Sequence, residues 1–248
     1  MDNAPICAIG VMAKAPQPGR SKTRLCPPLR HDQAAALSAA FLRDISENIV
    51  AASREVPTQG LMAYAPAGSV GHFDGHLAPG TGFVLADGMI DTPPGVVGFG
   101  RCLLHAVEGI FAAGYGAACL LNSDSPTLPT AFLARAARIL LTEGDRVVIG
   151  PAEDGGYYLL GMNAPHARLF ANIAWSTDSV AEATRARAKA LGLEVVELPL
   201  WYDVDDAASL DRLIQELSRP GHGYAAHATG AALHRMGLIA AAIARAAE

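Results

Sequence analysis

I-C-A-I-G-V-M-A (residues 6–13) running into K-A-P-Q-P-G-R-S-K-T-R-L (residues 14–25) decides how the rest of this chain is read. The first half is a short apolar run of strand length. The second half cannot continue that strand. Pro16 and Pro18 have no amide hydrogen and a fixed φ, so the chain leaves the strand as a loop. Gly19 lets the backbone turn where a side chain would resist. Lys14, Arg20, Lys22 and Arg24 gather four positive charges in this loop, while the whole chain carries a net charge of −5. Cations concentrated against the overall balance suit an anion, and the phosphates of a nucleotide fit best. A solvated basic loop is the competing reading.

Downstream, strand and helix patterns alternate. A helical run begins at Asp32, whose side chain is expected to cap it, and stops before Pro57. Strands are expected at about 60–66, 83–86, 117–121, 147–149, 157–161 and 194–198. Helices are expected at 101–113, 131–142 with Thr130 as cap, 177–191, 206–218, and from about Thr229 onward. Residues 86–100 form a long connection of the kind found at active sites. This alternation predicts an α/β protein with a mostly parallel sheet flanked by helices on both faces. One domain over residues 1–218, with a linker and helix over 219–248 packed on or extending it, fits the length of 248 residues.

Hydrophobic residues make up 51 % and charged residues 17 %, enough for a sizeable core. The negative balance argues against nucleic-acid binding. No run approaches a membrane span, and the acidic, Lys-free start reads as a first strand instead of a leader. Cys7, Cys26, Cys102 and Cys119 show no paired spacing, which predicts reduced thiols, a cytoplasmic protein and no zinc site.

In open α/β sheets ligands gather beyond the carboxyl ends of the strands. Polar residues follow the strands at several of those ends. Asp124 sits in N-S-D-S-P after the 117–121 run. Glu153, Asp154, Gly155 and Gly156 follow the 147–149 run. Asp203, Asp205 and Asp206 follow the last strand. Cations could hold phosphate while Asp124 and Asp205 hold a divalent ion; hard oxygen donors suit Mg²⁺ or Mn²⁺. Asp124 could instead cap a helix, Asp205 could shape a turn, and the glycine pair could be only a tight turn; Asp206 reads as a helix cap. A P-loop is excluded because Ser21 and Pro16 stand where it needs glycine. A dinucleotide fingerprint and a nucleophile elbow are absent too.

K-A-P-x-P-G-x-x-K-T-R-L, S-D-S-P-x-L-P, G-P-A-E-D-G-G-Y-Y-L-L-G, A-W-S-T and D-V-D-D together resemble the bacterial domain of unknown function 2064 family. That family is also described as radical-SAM/selenodomain-associated transferase 1 or arsenosugar-biosynthesis-type glycosyltransferase. The resemblance spans about residues 6–217 and implies the nucleotide-diphospho-sugar transferase superfamily, with a single-domain glycosyltransferase A-type fold. It implies that Lys14, Lys22 and Arg24 face nucleotide phosphates, with Gly19, Arg20 and Arg101 in the same nucleotide-binding set. Asp124 takes the place of the superfamily's metal-binding aspartate, Asp205 that of a late metal ligand, and Glu153 to Gly156 line the acceptor side. The basic loop is also similar to that of phospholactate guanylyltransferases. One segment departs: relatives carry G-D-L-G-x-R-M where this chain has V-V-G-F-G-R-C, so Gly98 stands in place of an Asp. Asp91 in the preceding insertion is a candidate substitute.

The expected activity is therefore a metal-dependent transferase using a nucleotide-activated donor, foremost glycosyl transfer from a nucleotide sugar to a small acceptor. Lys22, Asp124 and Asp154 would carry catalysis, with Asp154 orienting or deprotonating the acceptor hydroxyl. Nucleotidyl transfer from a triphosphate to a phosphorylated acceptor, with release of pyrophosphate, is the second reading. A nucleotide-binding protein without catalysis is the third. A homodimer is compatible with the sequence, which does not set the oligomeric state.

Overall fold

The structure is a computed structural model and describes residues 4–219 and 221–239. Its centre is a seven-stranded sheet ordered β3-β2-β1-β4-β6-β5-β7. The strands are β1 (Cys7–Ala13), β2 (Thr58–Tyr64), β3 (Gly82–Leu85), β4 (Ala117–Asn122), β5 (Arg146–Pro151), β6 (Tyr157–Met162) and β7 (Glu194–Glu197). The helices are α1 (His31–Ala52), α2 (Phe99–Ala112), α3 (Thr130–Leu140), α4 (Val180–Ala190), α5 (Ala207–Leu217) and α6 (His227–Arg235). The part of the expected C-terminal helix at 240–248 lies outside the described residues.

Alternation along the strands divides the core. Cys7, Ile9 and Val11 of β1 face a cluster with Phe41 and Ile45 of α1 and Leu133 of α3. Ala8 faces the opposite layer, with Leu104 and Ile110 of α2. Gly10 belongs to this second face: a Cβ there would meet the Ile110 side chain at 3.3 Å, so its absence lets α2 lie close on the sheet. Cys7 and Cys119 are free and buried, with sulfurs 3.7 Å apart.

The sheet is mostly parallel, as expected, with one strand reversed. β6 runs antiparallel to both β4 and β5, while the remaining pairings are parallel. The five residues between β5 and β6 are too few for a crossover, which needs a dozen or more, so the chain must turn back as a hairpin. Two caps also differ. Arg30 is the N-cap of α1, its amide bonded to Gln33 Oε1 at 3.0 Å, and Asp32 is the second residue of the helix, paired with Arg30 at 2.9 Å. Thr130 is the first residue of α3 with Pro129 as its N-cap, and its hydroxyl donates to Asn48 Oδ1 at 2.6 Å. Asp206 caps α5 as expected, accepting from Ser209 N.

α6 is tied to α1 by one side chain. Asp44, fully buried in α1, accepts the amides of Ala228 at 2.9 Å and Thr229 at 2.7 Å through its two oxygens. It supplies from outside the cap that Ala226 cannot, at the positive end of α6. Burial pushes the Asp44 carboxyl above its ordinary range, while these amide bonds oppose the shift. Asp44→Ala leaves both amides unpaired and is expected to lower stability by about 1–3 kcal/mol, read from urea unfolding. Asp44→Asn, which keeps an acceptor, should lose less.

Candidate active site

At the carboxyl end of β1 the basic loop closes on itself. Ser21 Oγ donates to Ala15 O at 3.1 Å and accepts from Gln17 N at 3.0 Å, while the Arg20 and Ser21 amides donate to Gln17 O. Gly19 makes the turn with φ +73°, and no atom would crowd a Cβ there. Its role is therefore the turn itself. Lys22 then takes a left-handed conformation, φ 49° and ψ 38°, unusual for a residue with a side chain.

That conformation aims Lys22 across the sheet edge. Its ammonium donates to Val204 O at 2.7 Å and Asp205 Oδ1 at 2.9 Å, and pairs with Asp124 Oδ1 at 2.7 Å. It also lies 5.5 Å from the centre of the Phe41 ring. The side chain is only 8 % exposed, so these contacts operate with little solvent screening. Asp124 and Asp205 meet because their backbones are pinned together. Val204 N donates to Asp124 O at 2.9 Å, and Ser125 Oγ donates to Tyr202 O at 2.9 Å. Arg24 reaches Asp205 Oδ2 at 3.8 Å but is 79 % exposed.

A cavity of about 470 Å³ opens above this cluster, lined by Lys14, Arg20, Lys22, Arg24, Asp124 and Asp205. A second, of about 480 Å³, shares Arg24, Phe99, Asp124 and Asp205 with it and extends to Asp154, Gly156, Trp175 and Asp178. The structure thus gathers the loop cations with Asp124 and Asp205, and sets Asp154 and Gly156 beyond them. Asp154 Oδ1 accepts the Gly156 amide at 2.9 Å.

Three expected site residues are placed otherwise. Arg101 does not face the cations: its guanidinium donates to Gly88 O at 3.0 Å, Thr92 Oγ1 at 3.1 Å and Ile90 O at 2.5 Å, tying the 86–98 connection to α2. Glu153 pairs with Arg212 at 2.7 Å, and neither cavity includes it. Gly155, φ +87°, sits where a Cβ would lie 2.0 Å from Asp178 O, so it is required to seat the chain before α4. Gly98 has φ 56° and ψ −131°, a region that side chains resist, so its glycine suits the local backbone better than an Asp would. Asp91 lines neither cavity.

The sequence singles out neither Asp178 nor Trp175 as a site residue. Trp175 does pack, edge-on to Phe99 with centroids 5.8 Å apart, and fits against Gly100, where a Cβ would lie 2.9 Å away. It also walls the second cavity. Asp203 has no role assigned from sequence. Burial, with Asp154, Asp205 and Asp124 nearby, pushes its carboxyl from the ordinary 3.8 to about 6. A dense group of hard oxygen donors suits a divalent cation, and the Lys22 ammonium stands between Asp124 and Asp205 as a cation would. Among the described residues no three metal-binding side chains converge tightly enough to hold an ion alone. A divalent ion on Asp124 and Asp205 would need its remaining ligands from a bound group or water.

The fold is of the nucleotide-diphospho-sugar transferase kind. Residues 70–177 match the model of the DUF2064 family, an uncharacterized protein conserved in bacteria, in agreement with the resemblance carried by the motifs. No curated protein matches the chain. It is similar to a candidate nucleotide-diphospho-sugar transferase from Desulfovibrio desulfuricans G20, at 28 % identity and a TM-score of 0.78 over 95 % of this chain and 97 % of that one. Its fold is shared with CMP:2-keto-3-deoxy-manno-octonic acid synthetase in complex with CTP, at 11 % identity, TM-score 0.50, and coverage of 84 % and 96 %. It is shared too with a nucleotidyl transferase from Methanothermobacter thermautotroptrophicus, at 15 % identity, TM-score 0.50, and coverage of 85 % and 96 %. Among the described residues no helix is long and apolar enough to cross a membrane.

The Asp203 shift has a definite sign. The folded protein holds this proton more tightly than the unfolded chain, so the contribution to stability is present below 3.8 and lost as pH rises through about 6. Asp203→Asn should flatten that part of the profile, read as urea midpoints between about pH 4 and 7.

Proposed function

We propose that the protein is a transferase acting on a nucleotide-activated donor, and that it moves a glycosyl group from a nucleotide sugar to a small acceptor. The observation that carries this reading is Lys22 lodged between Asp124 and Asp205 in a cavity whose other charged walls are Lys14, Arg20 and Arg24. Cations at this density match a diphosphate. Lys14, Arg20 and Arg24 bind its oxygens, and Lys22 leaves the carboxylates to meet the incoming phosphate. A Mg²⁺ or Mn²⁺ ion on Asp124 and Asp205 would neutralise charge on the departing diphosphate.

Asp154 orients the acceptor hydroxyl and takes its proton. The bond from the anomeric carbon to the diphosphate oxygen breaks as the acceptor oxygen bonds to that carbon, and a nucleoside diphosphate leaves. The chain's contribution is positioning and fixed charge, which need no reorganisation during the reaction. Such a protein would work with soluble donor and acceptor and in a reducing compartment, consistent with its free thiols.

Products separate this reading from nucleotidyl transfer. Incubation with nucleotide sugars and Mn²⁺ should yield a nucleoside diphosphate; pyrophosphate released from a triphosphate instead would overturn glycosyl transfer. Lys22→Ala should weaken nucleotide binding by about 1.5–3 kcal/mol in calorimetry, and unchanged affinity would remove the phosphate assignment. Asp124→Ala should abolish turnover with the fold intact by circular dichroism. Activity retained in that variant would exclude Asp124 from the mechanism.

A further inference from the structure

The two cavities meet at Asp124, Asp205 and Phe99 but differ in charge. Lys14, Arg20 and Lys22 line only the first; the second adds Asp154 and Asp178, and its one cationic wall residue is Arg24. Arg24 leans toward Asp205 and is largely in solvent. Among the described residues neither Asp154 nor Asp178 has an ion-pair partner, and the only side-chain hydrogen bond of Asp154 is from the Gly156 amide. The same cavity has an aromatic wall, Trp175 with Phe99 set edge-on against it.

Each half of this cavity selects in the same direction. Carboxylates without cationic partners accept hydrogen bonds from hydroxyl or ammonium groups and repel a phosphate dianion. An indole face packs on the C–H face of a ring that carries its polar groups at the edge, and it attracts cations. Metal binding does not reverse the balance, because an ion on Asp124 and Asp205 leaves Asp154 and Asp178 uncompensated. The wall is also held in place before any ligand arrives. Gly155 seats the Asp178 backbone, Asn172 N donates to Gly95 O at 2.8 Å, and the absence of a Cβ at Gly100 lets Trp175 lie against α2.

We propose that the second cavity takes an unphosphorylated, neutral or cationic polyhydroxylated ring and rejects phosphorylated ones. The inference rests on the transferase reading above and narrows its acceptor side. A phosphorylated acceptor, the substrate class of the nucleotidyl-transfer alternative, meets carboxylates in the second cavity where it needs cations.

Saturation-transfer NMR on the whole protein tests this with three probes, D-glucosamine, D-glucose and D-glucose 6-phosphate, each in the presence of Mg²⁺ and a nucleoside diphosphate to fill the first cavity. Glucosamine and glucose should bind, glucosamine no more weakly than glucose, and glucose 6-phosphate at least tenfold more weakly than either. Trp175→Ala should abolish the sugar signal, placing it in this cavity. Asp178→Asn and Asp178→Lys should narrow and then reverse the preference between glucosamine and glucose 6-phosphate; Asp178 is exposed, and Asp154→Asn gives a second variant with the same expected narrowing. Equal or tighter binding of glucose 6-phosphate to the unaltered protein, a ranking indifferent to both aspartates, or no response to any of the three sugars would overturn the proposal. Calorimetry of the nucleoside diphosphate on the same sample separates the two levels. If it binds and the sugar ranking fails, only this inference falls; if it does not bind, the transferase reading falls with it.

Discussion

The site depends on one ammonium placed between two carboxylates. Lys22, Asp124 and Asp205 come from three distant parts of the sequence, and a charge this sheltered is stable only when its partners are held to it. The partners are held by backbone. The bond from Val204 N to Asp124 O joins the loop after β4 to the segment before α5, and Ser125 to Tyr202 repeats the tie one residue along on one side and two on the other. Lys22 in turn accepts a left-handed backbone to reach them, strain that its three polar contacts offset.

From that point charge is distributed in opposite senses. Toward the basic loop the walls are cationic; toward β6 and α4 they are acidic and aromatic. The mixed sheet makes this possible. Because β5 and β6 form a hairpin, the turn between them lies at the sheet edge beside β4 and brings Asp154 toward Asp124. An all-parallel connection would have carried the chain away from that edge before β6 began.

The 86–98 connection shows how a long loop can be both irregular and fixed. Arg101 spends its donors on three oxygens of this loop, and Asn172 binds it from the opposite side at Gly95. The residues around Gly98 therefore belong to a built wall. An Asp at 98 would have to adopt a backbone conformation that glycine alone takes readily.

Every strand and α-helix among the described residues was legible from apolar periodicity, because burial on one or two faces leaves a period in the sequence, whereas the short 3-10 turns were not. The candidate acids and cations were legible too, since polar residues at strand ends have a known place in α/β folds. The direction of β6 was readable only from the length of its connection, a cue weaker than the alternation around it. The caps of α1 and α3 fell one or two residues ahead of the expected ones, at Arg30 and Pro129, because helix ends are poorly marked by local pattern. Arg101 and Glu153 left the site because long side chains choose among acceptors that only the assembled structure brings within reach. By itself, then, the sequence determined the elements, their order and the charged groups available at one sheet edge. Tertiary structure alone decided that Lys22 bridges Asp124 and Asp205, that Trp175 and Asp178 wall a second cavity, and that the two cavities carry opposite charge. Those facts depend on distances between residues far apart in the chain, which no local periodicity encodes.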